Sequence, residues 1–289
     1  MGDTHRSAGF FVAGESGASH GVFFREELAD LGIDARRRRK LLRDGELTTP
    51  RKDWYATPVH DAKVAAAVRA GGVLACVSAL QRYGFWVPPG YSDEHVRSGR
   101  WADRASCTAY SPIRAGRTAV DSIIVALECA ARCMAAEDWI AVCDSVQQGL
   151  GVSADRIRAE MGRLPACAEA LLDKTDHRSQ SGTESIARVR LRALHFKVVV
   201  QPQITEVARA DLRIGRLIIE CDGAQFHTDK TNYQNDRLRD RKSTIGNWLT
   251  FRLTYDDVLF GWDGVVEDIR AITRPGRHRG RASGMTTAP

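Results

Sequence analysis

The spacing of apolar and polar positions divides this chain into three patterned segments. From Gly21 to Thr57, Val22, Phe23, Leu28 and Leu31 make an apolar stripe that predicts a short helix ended by Gly32. Asp34 is placed to N-cap a second helix, Ala35 to Arg43, closed by Gly45. Glu46-Leu47-Thr48, a turn at Pro50 to Asp53, and Trp54-Tyr55-Ala56 then predict a small hairpin. From His60 to Ala170 the spacing is mainly helical, over Val64–Val68, Val73–Tyr83, Val120–Met134, Trp139–Gln148 and Asp155–Met161. Short strands are placed at Glu94–Arg97 and Thr118–Val120. The polar run Asp173 to Gly182 reads as a linker.

In the third segment Ser181-Gly182-Thr183-Glu184 has the form of a capping box. On the helix that follows, Ile186, Val189, Leu191 and Leu194 are expected in the core, and Arg188, Arg190 and Arg192 outside. Strands follow at Lys197–Val200 and after Pro202. Residues 235–243 read as a helix, Trp248–Leu253 as a strand and Trp262–Ile272 as a closing helix. The tail from Pro275 is basic and poor in apolar residues, which predicts disorder. The domains expected are therefore 1–57, a helical connector 58–172, a linker 173–182, a domain 183–274 and a tail 275–289. The fold class is α+β.

Around Gly215 the pattern makes a chemical prediction. Gly215-Arg216 suits a two-residue hairpin loop. In that register Ile214 faces Leu217, Arg213 faces Ile218, Leu212 faces Ile219 and Asp211 faces Glu220. Alternation gives a core face of Leu212, Ile214, Leu217, Ile219 and Cys221, and puts Asp211, Glu220 and Asp222 together on the other face. Directly opposed like charges destabilise a sheet. A hard divalent cation, Mg²⁺ or Mn²⁺, explains three carboxylates kept there. A one-residue slip would undo the arrangement. Gly223 can turn the chain, and Phe226-His227 then returns an imidazole able to accept a proton from water.

Charge and cysteine usage add less. The formal net charge of the 289 residues is +6, which permits a polyanionic partner. Arginines gather at 36–39, 188–192 and 237–241 and in the tail. On the second helix Arg36, Arg37, Arg38, Arg39 and Lys40 read either as a nucleic-acid-binding surface or as a solvated face. Arg241 and Lys242 offer a further basic surface. Seven cysteines occur without a CxxC. Cys129 and Cys133 share a helix face at i,i+4, but no histidine or further cysteine pair completes a zinc set, so core thiols are expected. No apolar run reaches about 18 residues, so no membrane span is expected, and the short run at Phe10–Ala13 is no signal core. The expected location is the cytoplasm.

Two resemblances follow from these residues. The pattern around Leu31-Gly32-Ile33, Leu41-Leu42-Arg43-Asp44-Gly45-Glu46-Leu47 and Trp54-Tyr55 resembles the N-terminal winged-helix domain of AbiEi-family antitoxins. That likeness implies DNA or partner binding and no chemistry. The arrangement Asp211–Glu220-x-Asp222-Gly223–Phe226-His227, with Asp236-Arg237, Arg239-Asp240 and Leu249–Phe251-Arg252, resembles uncharacterised bacterial relatives of very-short-patch-repair endonucleases, within the PD-(D/E)XK superfamily.

It implies a mixed sheet flanked by helices, and metal on Asp211 and Glu220 with the Cys221 backbone carbonyl as a third donor. It also implies Arg237 near the phosphate, Asp240 in support and Glu184 as an accessory acid. The superfamily's lysine, two residues after the glutamate, is here Asp222. The base then falls to His227 or to Lys230 or Lys242, or Asp222 serves as a further ligand.

The expected function is metal-dependent DNA hydrolysis, positioned by the N-terminal domain. The alternatives are a non-catalytic DNA-binding regulator with a degenerate nuclease fold, or an RNA-cutting toxin. The helical connector is the expected surface for a protein partner or a second copy.

Overall fold

The computed structural model describes residues 20–98, 107–110, 117–205, 208–222, 248–274 and 278. The chain divides into two compact units, one of Met1–Trp139 and Ala154–Asp173, the other of Ile140–Ser153 and Lys174–Pro289. Both mix helix and strand, with several separate sheets. Among the described residues no helix is long and apolar enough to cross a membrane.

The first unit begins with strand β1 (Val22–Phe24), not with helix. Val-Phe-Phe is a β-favouring run, and it pairs antiparallel with β3 (Trp54–Ala56), Val22 opposite Ala56 and Phe24 opposite Trp54. The helix α1 is confined to Arg25–Asp30, and Leu31, expected in its apolar stripe, is 63% exposed. Helix α2 spans Ala35–Arg43 as its signals predict. The Asp34 carboxylate accepts the Arg37 N–H at 2.7 Å. β2 (Thr48–Arg51) completes a sheet in the order β1-β3-β2.

Beyond it lies α3 (Ala62–Arg69), N-capped by Asp61. The run expected as one helix from Val73 splits into β4 (Gly72–Leu74) and α4 (Cys76–Arg82). Leu74 is claimed from both sides: it pairs with β5 (Val96–Ser98) and forms a parallel bridge with Val120. Helices α5 (Ile123–Cys133), α6 (Ala136–Leu150), α7 (Ala154–Met161) and α8 (Ala166–Leu172) follow, and α6 belongs to the second unit from Ile140 onwards.

In the second unit α9 (Gly182–Ala193) leads into β6 (Val198–Val200), a small ribbon of β7 (Gln203–Thr205) and β8 (Ala208–Arg209), and the hairpin β9 (Leu212–Ile214) and β10 (Leu217–Cys221). β11 (Leu249–Leu253), α10 (Tyr255–Leu259) and α11 (Trp262–Thr273) close it. The main sheet has the order β11-β10-β9-β6. β6, β9 and β10 run antiparallel in turn, and β11 lies parallel to β10.

The hairpin register is the one the pattern predicts: Ile214 opposite Leu217, Arg213 opposite Ile218 and Leu212 opposite Ile219. Gly215 supplies the positive φ of the turn, +59°. Leu212, Ile214, Leu217, Ile219 and Cys221 are all buried. Burying one such aliphatic side chain is worth about 1.5–3 kcal/mol. A like-charge pair across strands costs roughly 0.2–1 kcal/mol. Core burial therefore wins and fixes the register.

One arginine departs from expectation. Arg188 is fully buried (0% exposed). Its Nη2 donates to Asp144 Oδ2 at 2.6 Å and its Nη1 to the Lys174 carbonyl at 2.6 Å. Asp144 also accepts the Asp176 N–H at 2.6 Å, and Asp176 and Ser179 are buried. The polar stretch expected as a linker is thus partly packed by its own hydrogen bonds. The tail beyond Arg274 lies outside the described residues except for His278, whose carbonyl accepts the Arg216 N–H at 2.7 Å.

Candidate metal centre in the second unit

Two adjacent rows of the sheet lead to the site. Val200 pairs with Leu212, and Leu212 with Ile219. One residue further along each strand come Gln201, Asp211 and Glu220, with Glu220 opposite Arg252 on β11. The Gln201 N–H donates to the Asp211 carbonyl at 2.8 Å, which carries the β6–β9 pairing one step past the strand. Asp222 follows β10 directly, and its N–H donates to the Leu253 carbonyl at 2.8 Å. Asp211, Glu220 and Asp222 are all half-buried.

Helix α9 brings the fourth acid. Ser181 caps it by accepting the Glu184 N–H at 3.2 Å. The reciprocal bond goes one residue further back than a capping box requires: Glu184 Oε2 accepts the Gln180 N–H at 2.9 Å. Glu184 is buried, and the same oxygen accepts Gln201 Nε2 at 3.1 Å. Gln201 Nε2 also reaches Asp211 Oδ1 at 3.4 Å. Asp211 Oδ2 accepts the Cys221 N–H at 2.8 Å. One amide therefore links the helix acid to the strand acid, and one backbone N–H fixes the rotation of the Asp211 carboxylate.

The electrostatics are those of crowded negative charge. Burial, and then the Asp211 charge, push the Glu184 carboxyl up to about 7. The Cys221 thiol is raised well above its usual value, first by burial and then by Asp211, Glu184, Glu220 and Asp222. All four carboxylates thus raise the same thiol, but among the described residues the His, Cys, Asp and Glu side chains that come within metal-binding distance of one another are those of Cys76, His95, Cys107 and Cys133. Carboxylate oxygens are hard donors of the kind that divalent cations such as Mg²⁺ take.

Gln201 was not singled out by the sequence, although it holds two of the acids. It carries φ +49°, in the left-handed region. That costs a non-glycine residue about 1–3 kcal/mol, and the following Pro202 normally holds its predecessor extended. The hydrogen bonds of its amide to Glu184 and Asp211 accompany that strain. The only clue in the sequence is its place, one residue past a Val-Val-Val strand and before a proline.

His227, Arg237, Arg241 and Lys242, with Lys230 and Asp240, lie outside the described residues. In the first unit α2 has no buried residue and carries Arg36, Arg37, Arg39 and Lys40 exposed. Arg38 stacks over the Tyr55 ring at 5.0 Å, and Lys40 pairs with Asp44 at 2.6 Å. No protein-family model, curated protein or solved structure matches the chain.

Proposed function

We propose that the second unit is a metal-dependent nuclease domain of the PD-(D/E)XK type, hydrolysing DNA phosphodiester bonds. One observation carries this reading: Glu184 from α9 joins Asp211, with Glu220 in the next sheet position, beside Gln201. The element order supports it. The likeness to very-short-patch-repair endonucleases implies a mixed sheet flanked by helices, and the sheet here is mixed, with β6, β9 and β10 antiparallel and β11 parallel to β10.

Asp211 and Glu220 would hold Mg²⁺ or Mn²⁺, with the Cys221 carbonyl and Asp222 as further donors. The ion would supply Lewis-acid polarisation of the scissile phosphate. The Cys221 N–H and the Gln201 amide orient Asp211 for that task. Glu184, linked to Asp211 through the Gln201 amide, would serve as the accessory acid of that set. His227 or Asp222 would accept the proton of that water, and Arg237 would balance charge on the phosphate. In the first unit, the helix–helix–hairpin of α1, α2 and β2–β3, with a third strand, supports a winged-helix reading. The exposed arginines of α2 would meet DNA phosphates.

Asp222 favours a second reading. It stands where the superfamily places lysine, and loss of that cation would suit a non-catalytic DNA-binding regulator. Plasmid DNA incubated with Mg²⁺ or Mn²⁺ separates the two. Cleavage by the native chain, abolished by Asp211→Asn or Glu220→Gln and by chelation, is the expected outcome. Equal cutting by the variants, or binding without cutting at any metal concentration, would contradict it.

A further inference from the structure

In the first unit four side chains distant in sequence converge: Cys76, His95, Cys107 and Cys133, whose ligand atoms all lie within 4.8 Å of one another. Cys76 opens α4, and Cys133 ends α5. His95 immediately precedes β5, and Cys107 is tied back to that strand by donating its N–H to the Val96 carbonyl at 2.9 Å. His95 is held at both ends of its backbone. Its N–H donates to Ser78 Oγ at 2.9 Å, and its carbonyl accepts the Ala75 N–H at 2.9 Å. Cys76 has φ +54°, a conformation that side-chain-bearing residues avoid.

The spacing of the atoms identifies the occupant. The Cys107 and Cys133 sulfurs are 3.7 Å apart, and His95 Nδ1 is 3.3 Å from the Cys107 sulfur. A tetrahedral zinc ion with bonds of about 2.3 Å to sulfur and 2.0–2.1 Å to nitrogen sets sulfurs about 3.8 Å apart and sulfur from nitrogen about 3.6 Å. A disulfide needs about 2.05 Å and would satisfy two of the three thiols, leaving the third beside it. Three thiols and an imidazole facing one point also make poor apolar core. We infer that Cys76, His95, Cys107 and Cys133 form a structural Zn²⁺ site. Four protein ligands leave no open position for substrate, so its role is to clamp α4, α5 and the β5 region together. Cys129, one turn before Cys133, is buried and lies outside the set.

The test uses the full chain, produced with zinc in the medium and purified without chelator. Metal analysis should return about one zinc per chain, and most of it should be lost in Cys107→Ser and Cys133→Ser. Asp211→Asn should keep it, which separates this site from the carboxylate centre. A second measurement needs no variant. Cys133 and Cys167 are both exposed thiols. In the native protein a thiol-alkylating reagent followed by peptide mass spectrometry should label Cys167 and spare Cys133 until a strong chelator is added. Labelling of both at the same rate, a Cys107–Cys133 disulfide, iron in place of zinc, or zinc lost with Asp211 and not with Cys107 would each overturn the proposal.

Discussion

Glu184 shows how one side chain couples burial, charge and proposed chemistry. Its carboxyl is raised from 4.5 to about 7, first by burial and then by Asp211. A folded state that binds its proton more tightly than the unfolded chain gains stability below about pH 4.5. That gain is lost as pH rises through about 7. In chelator, denaturant unfolding should therefore show stability falling between those values. Glu184→Gln should flatten the fall, because the amide keeps the shape and removes the charge. A native slope unchanged by the substitution would place the charge crowding elsewhere. Glu184 was readable as a helix cap from Ser181 onwards, and the structure shows capping and clustering in one residue. Gln201 was not readable, because nothing in a glutamine's chemistry announces that it will adopt a left-handed backbone before a proline.

At the scale of elements, α9 explains both a correct expectation and a failed one. Its first two turns are buried on every side, from Gly182 to Arg188 without a break, and Leu191 is buried with them. Charge argued for Arg188 outside, but packing around those turns took it in, because Asp144 and the Lys174 carbonyl were available as partners, while Val189 and Leu194, expected in the core, are only half-buried. The partner lies 44 residues away in sequence, which no local pattern reveals. Burial raises the Asp144 carboxyl while Arg188 opposes that shift. Breaking such a buried pair from one side costs about 3–5 kcal/mol. Asp144→Ala and Arg188→Met should each lower the denaturation midpoint strongly. The double substitution Asp144→Leu with Arg188→Met should cost less than the sum of the singles. Additive losses would show that the two do not act as a pair.

The same contrast separates the other elements. α2 and the β9–β10 hairpin matched expectation because their signals are local: an Asp cap, a turn glycine, a period of two. β1 and β4 were read as helix because three-residue strands carry too little period to compete, and their partners, β3 and β5, come later in the chain.

For the whole molecule, the sequence predicted the β9–β10 register, because the aliphatic core face enforces it. It did not predict the Cys/His cluster of the first unit. Cys76, His95, Cys107 and Cys133 are spaced too widely for any compact ligand motif, and only the folding of β4, β5, α4 and α5 brings them together. Two metal centres of opposite character are thus proposed on one chain, a soft closed one and a hard one at the ends of the two central strands of a sheet.

The hard centre is the central claim, and locating its ion tests it most directly. Crystals of the full chain soaked in Mn²⁺ should give an anomalous peak between the carboxylates of Asp211 and Glu220, absent from Asp211→Asn crystals grown the same way. Saturating Mn²⁺ with no peak there, and the Asp211 carboxylate still bonded only within the protein, would contradict the account.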